Sequence, residues 1–119
     1  MEALYEELQG YLNMDEEIPF EEFSAFYKKI LAELPDKHEG FSEDELWKAL
    51  FIVENVMSNS DARAKETKGS ESKKYAKMAQ RLQLWSKNFA GRLHGLGYTD
   101  EEVNARFDAM FEEGPVNSK

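Results

Sequence analysis

The chain has 119 residues, 41% of them hydrophobic, which bounds it to one domain with a modest core. Fifteen Lys and Arg stand against 24 Asp and Glu, and the net charge of −9 argues against general wrapping around nucleic acid or an anionic membrane. Cysteine is absent, which excludes disulfides, thiol catalysis and cysteine-bound metals. No apolar run reaches the roughly 18 residues that a bilayer span requires, and the opening Met1-Glu2-Ala3-Leu4-Tyr5-Glu6-Glu7 is acidic where a signal peptide is basic. A soluble, cytoplasmic chain is therefore expected.

Helical spacing of apolar residues recurs five times, and alternating strand patterns are absent. The expected fold class is all-α, a compact bundle of four to five amphipathic helices forming one domain over residues 1–119. In the first segment, about Glu2 to Leu12, Leu4, Leu8, Tyr11 and Leu12 make one narrow stripe. Pro19 suits the first turn of a second helix, in which Phe20, Phe23, Tyr27, Ile30, Leu31 and Leu34 share a face until Pro35 is expected to stop it. Ser42-Glu43-Asp44-Glu45 reads as a capping box. It opens a central helix whose run Leu46-Trp47-Lys48-Ala49-Leu50-Phe51-Ile52-Val53 is apolar on more than one face.

From Ser58 to Ser72 the composition turns small and polar, with only Ala as apolar material. The central helix can extend through Ala62 and Ala64, but Gly69 and the serines predict a mobile loop at about 58–72. A fourth helix, about Ser70 to Leu96, carries Tyr75, Met78, Ala79, Leu82, Trp85, Phe89, Leu93 and Leu96 at near-heptad spacing, with Gly97 placed as its cap. Thr99-Asp100-Glu101-Glu102 is a second capping box, and Val103, Phe107, Met110 and Phe111 stripe a fifth helix that ends at Gly114-Pro115. Residues 115–119 are expected to fray.

The charge is unevenly laid out. Residues 1–57 hold 4 basic and 15 acidic side chains, residues 58–97 hold 9 and 3, and residues 98–119 hold 2 and 6. On a helical wheel at about 100° per residue, Lys73, Lys74, Lys77, Arg81, Lys87 and Arg92 occupy one arc of about 140°, opposite the apolar stripe of the fourth helix. Leu84 lies within that basic arc. The plainest account is a solvated face balanced by the acidic helices around it. The functional account makes Lys73, Lys77, Arg81, Leu84 and Lys87, with Arg63 and Lys65 from the polar segment, a partner-binding surface for phosphates or an acidic protein. No aromatic lies on the arc, so stacking of single-stranded bases is not supported.

The acidic clusters Asp15-Glu16-Glu17, Glu43-Asp44-Glu45 and Asp100-Glu101-Glu102 sit at helix starts, where carboxylates favour the helix dipole. His38 and His94 stand in no spacing that presents two metal ligands on one helical face. No Gly-x-Ser-x-Gly elbow or phosphate loop occurs. One stretch, Ile18-Pro19-Phe20-Glu21-Glu22-Phe23, resembles the second half of an EF-hand loop and the start of its exit helix. In that register Asn13 takes loop position 3, Asp15 position 5, Ile18 position 8 and Glu22 the bidentate position 12. Tyr11 stands at position 1 where Asp is required and Glu16 at position 6 where Gly makes the turn, so the resemblance implies at most a helix-loop-helix shape. The residues themselves read as an acidic turn before an amphipathic helix. No metal, cofactor or catalytic residue is expected. The functional expectation is a small non-enzymatic interaction domain with a protein partner, or a homodimer given five Met and many aromatic residues in so small a chain. The alternative is an accessory nucleic-acid-binding protein that uses residues 63–92.

Overall fold

The computed structural model describes residues 2–12 and 18–113, the last three as backbone alone. Five helices follow in order: α1 (Glu2–Leu12), α2 (Phe20–Lys37), α3 (Glu43–Glu66), α4 (Gly69–Gly95) and α5 (Asp100–Glu113), with a short 3-10 turn at His38–Gly40. No strand occurs among the described residues, and the architecture is the all-α bundle read from the sequence. The calls on Asn13, Asp15 and Glu16 as EF-hand positions and on 115–119 as a frayed tail lie outside the described residues.

The helix α3 is the hub because its apolar residues run nearly continuously. Ala49, Phe51, Ile52 and Val53 are fully buried, and Leu46, Trp47, Leu50 and Val56 nearly so. A face that wide must be covered from several sides. Tyr5 of α1 meets Phe51 edge-on at 5.6 Å, and Phe107 of α5 meets the same ring at 5.7 Å. Gln9 Nε2 donates to the Met110 carbonyl at 3.2 Å, tying α1 to α5. Leu82, Phe89 and Leu93 of α4, with Ile30 and Leu34 of α2, complete a core of fully buried side chains. The Cα radius of gyration, 14.3 Å, is close to the about 13.5 Å expected of one domain this long.

Both capping boxes form. Ser42 Oγ accepts from the Glu45 N–H at 3.2 Å while Glu45 Oε1 accepts from the Ser42 N–H at 2.9 Å. That amide holds the Glu45 carboxyl below its ordinary value. Thr99 and Glu102 exchange the same pair of bonds at 3.1 and 2.8 Å. Gly97 sits at φ +107°, and the Tyr98 N–H returns to the Leu93 carbonyl at 3.2 Å while the Gly97 N–H reaches the His94 carbonyl at 2.9 Å, a Schellman closure of α4.

Two boundaries differ from expectation. Pro35 does not stop α2, which runs to Lys37. A proline so near the end removes one intrahelical bond in the last turn, and Leu34 still accepts from the His38 N–H there. The expected loop at about 58–72 shrinks to Thr67 and Lys68, because α3 continues through Glu66 and α4 begins at Gly69. The extension is stitched to its surroundings. Ser60 is fully buried with its Oγ donating to the Val56 carbonyl, and Ser72 Oγ donates to the Ala64 carbonyl at 2.7 Å. Gly69 supplies φ +73° where the chain reverses. The described Phe, Tyr and Trp side chains are all buried or half-buried, so a single chain covers this aromatic content. The large hydrophobic side chains left exposed among the described residues are Leu84 and Leu96, at 69% and 56%.

Candidate functional site

On α4, Lys74, Lys77, Met78 and Arg81 share one stripe at intervals of three and four residues. On α2, Phe20, Ser24, Tyr27 and Lys28 share another. The two stripes face each other across a cleft of about 300 Å³ lined by these eight side chains. Edge-on contacts from Tyr75 to Phe20 and Phe23, at 5.3 and 5.4 Å, fix the distance between the helices at one end. Met78 and Tyr27 are buried, Phe20 is half-buried, and the four cations are exposed around them. The result is an apolar floor with a cationic rim.

Two cations in the rim have a definite setting. Lys74 Nζ lies over the Phe20 ring at 5.4 Å, a cation–π contact. Arg81 lies beside the Tyr27 hydroxyl. Burial pushes that phenol above its ordinary value, while the charge and hydrogen bonding of Arg81 oppose the shift. None of Lys28, Lys74, Lys77 and Arg81 has a carboxylate within 4.0 Å among the described residues, whereas several other lysines do. Lys29 pairs with Glu7 at 3.2 Å, Lys37 with Glu33 at 3.4 Å, and Lys48 with both Glu2 and Asp44. In a chain with more acids than bases, four cations around one cleft, none with a carboxylate partner among the described residues, form a concentrated positive field.

The residues expected to bind a partner are placed differently from one another. Lys77 and Arg81 line the cleft. Lys73, Leu84 and Lys87 are exposed on α4 outside it. Lys65 is exposed on α3 and paired with Asp61 at 3.3 Å. Arg63 is turned inward. Its Nη1 donates to the Ile18 carbonyl at 3.0 Å and to the Tyr75 hydroxyl at 3.2 Å, and its guanidinium lies 4.3 Å from the centre of the Phe23 ring. Sequence reasoning placed Lys74 on the basic arc and Tyr27 on the apolar face of the second helix without assigning either to the site, and it singled out neither Lys28 nor Ser24. The signal available for Ser24, Tyr27 and Lys28 was the shared stripe on α2.

The histidines are held structurally. Arg92 donates through Nη1 to the His38 carbonyl and through Nη2 to His38 Nδ1, both at 2.6 Å, which requires that nitrogen to be an acceptor. His94 Nε2 lies 2.8 Å from Asp100 Oδ1. Neither histidine nor any carboxylate among the described residues lines the cleft. Among the described residues, no group of three or more His, Asp or Glu could hold a metal ion, and no helix is long and apolar enough to cross a membrane. A second depression, about 360 Å³, lies between α3 and α4 over small and neutral side chains with Asp61 as its one charge. No family model, curated protein or solved structure matches the chain.

Proposed function

We propose that the protein is a small non-enzymatic interaction module that holds an anionic segment of a protein partner in the cleft between α2 and α4. The observation that carries this reading is the gathering of four cations around one apolar floor, none of them with a carboxylate partner among the described residues. Unpaired like charges repel one another, and an anionic guest would relieve that repulsion and bury the floor together. Lys73 and Lys87, exposed on the same helix, extend the positive field and favour encounter. Nucleic acid fits less well, because the chain carries −9 overall. A cytoplasmic location belongs to the same proposal and is checked by cell fractionation.

The test compares immobilised wild type with a Lys77→Glu/Arg81→Glu variant in host lysate, half of it nuclease-treated, with the melting curve of each protein measured in parallel. The expected result is a protein retained by wild type in both halves and lost from the variant, while the melting temperature is unchanged. Capture that ignores the charge reversal, or that disappears on nuclease treatment, overturns the reading.

A further inference from the structure

The chemistry of the cleft narrows the kind of anion it suits. Its space is compact, about 300 Å³, and its polar groups converge from two helices instead of running along one track. Lys74 is already engaged over the Phe20 ring, which leaves Lys28, Lys77 and Arg81 as the cations available to a guest. The hydroxyls of Ser24 and Tyr27 add neutral donors beside Arg81. A run of Glu or Asp residues divides its charge among separate carboxylates, one unit each, spaced by about 3.3 Å per residue along an extended chain. A phosphodiester polymer carries one charge per phosphate and needs an extended track. A phosphate monoester instead places a charge of about −1.5 to −2 and three acceptor oxygens on a single atom. Phe20 and Met78 offer apolar surface to whatever stem carries that phosphate.

Resting on the reading of this cleft as the partner-binding site, we infer that it takes an organic phosphate monoester on an apolar stem, presented as a phosphorylated tyrosine side chain of the partner. The phosphate sits among Lys28, Lys77 and Arg81, and the ring of the stem lies along the apolar floor between α2 and α4. Lysines and an arginine that lack carboxylate partners bind such a dianion through charge-assisted hydrogen bonds, with the guanidinium supplying a two-pronged contact.

The experiment is calorimetric titration of the full chain with five probes. These are a short phosphotyrosyl peptide, its unphosphorylated form, its phosphotyrosine→Glu form, phenyl phosphate, and single-stranded oligothymidylate. Amide and methyl shift mapping of the bound state accompanies it. The phosphotyrosyl peptide is expected to bind at least about ten-fold more tightly than the unphosphorylated and Glu peptides, a difference of about 1.4 kcal/mol. The shift changes are expected at Phe20, Tyr27 and Met78, and the Lys77→Glu/Arg81→Glu variant is expected to lose the difference. Binding should weaken as pH falls through the second phosphate ionisation near about 6. Phenyl phosphate binding as tightly as the peptide would assign the site to a free small phosphate and overturn the side-chain source.

Equal binding of the Glu and phosphotyrosyl peptides overturns the phosphate inference and leaves the interaction module standing. Preference for the oligonucleotide overturns both. If no probe binds while lysate capture still depends on Lys77 and Arg81, the phosphate inference fails alone. If capture is also insensitive to those residues, the interaction reading fails with it.

Discussion

Replacing Arg63 with Ala should destabilise the fold by about 3 kcal/mol. The guanidinium donates to the Ile18 carbonyl at 3.0 Å and to the Tyr75 hydroxyl at 3.2 Å, and it lies 4.3 Å from the Phe23 ring centroid. Hydrogen bonds from a charged donor contribute about 1.5–3 kcal/mol each, and a partly desolvated cation–π contact about 1–2. All three interactions belong to one planar group, so their energies overlap and the whole is worth less than the parts. At about 3–6 °C per kcal/mol for a domain of this size, the melting temperature should fall by roughly 10 °C. Differential scanning calorimetry on Arg63→Ala, with Arg63→Lys beside it, checks this. The lysine keeps the charge but not the fork, and is expected to recover less than half of the loss. A melting temperature within about 2 °C of wild type for Arg63→Ala would refute the inward role and return Arg63 to the surface.

Phe51→Ala empties a site that is 0% exposed between α1, α3 and α5, and should cost about 3–5 kcal/mol in urea denaturation. Two glycines should respond in opposite directions. Gly97→Ala meets no atom within 4 Å but is strained at φ +107° and should lose about 1–2 kcal/mol, whereas Gly91→Ala in open space within α4 should gain about 0.5–1. The pH dependence follows from two groups. The Glu45 carboxyl is held below its ordinary value mainly by the Ser42 amide, so its stabilisation is present above pH 4.5 and lost as pH falls through the folded value. Glu45→Gln should flatten that part of the acid limb. Burial, reinforced by Glu7, pushes the Tyr11 phenol from 10 up to about 12, so the unfolded chain ionises first and stability falls as pH rises from 10 towards 12. Phenolate absorbance and the alkaline melting curve of Tyr11→Phe check this.

Much of the fold was legible because local rules and tertiary packing agree. Ser42 with Glu45, Thr99 with Glu102, and Gly97 each satisfy helix-end amides or carbonyls through neighbours in sequence, and all three form as read. Pro35 misled because the rule against helical proline concerns interiors, and only part of one turn follows it. The polar segment misled because its anchors are tertiary, namely Ser60 within the core and Ser72 reaching Ala64 across the turn. Within the site, Lys77 and Arg81 were legible from the wheel of α4 alone. Lys28, Ser24 and Tyr27 were not, since nothing in their local pattern states which helix lies opposite. Arg63 was misjudged for a related reason: its charge suggested solvent, while the aromatic pair Phe23 and Tyr75 that receives it comes from two other helices.

The two-residue link of Thr67 and Lys68 also orders the folding of the chain in time. Joined so closely, the two longest helices can zip from their turn outwards, a process limited by helix growth and short-loop closure on the scale of about a microsecond. The bond from Gln9 to Met110 spans 101 residues and can form only when both ends have been synthesised. During translation, α1 and α2 therefore leave the ribosome with Phe23, Phe26, Ile30 and Leu34 uncovered until the hairpin that buries them has emerged. The contact between α1 and α5 closes only after the four helices before α5 have been made.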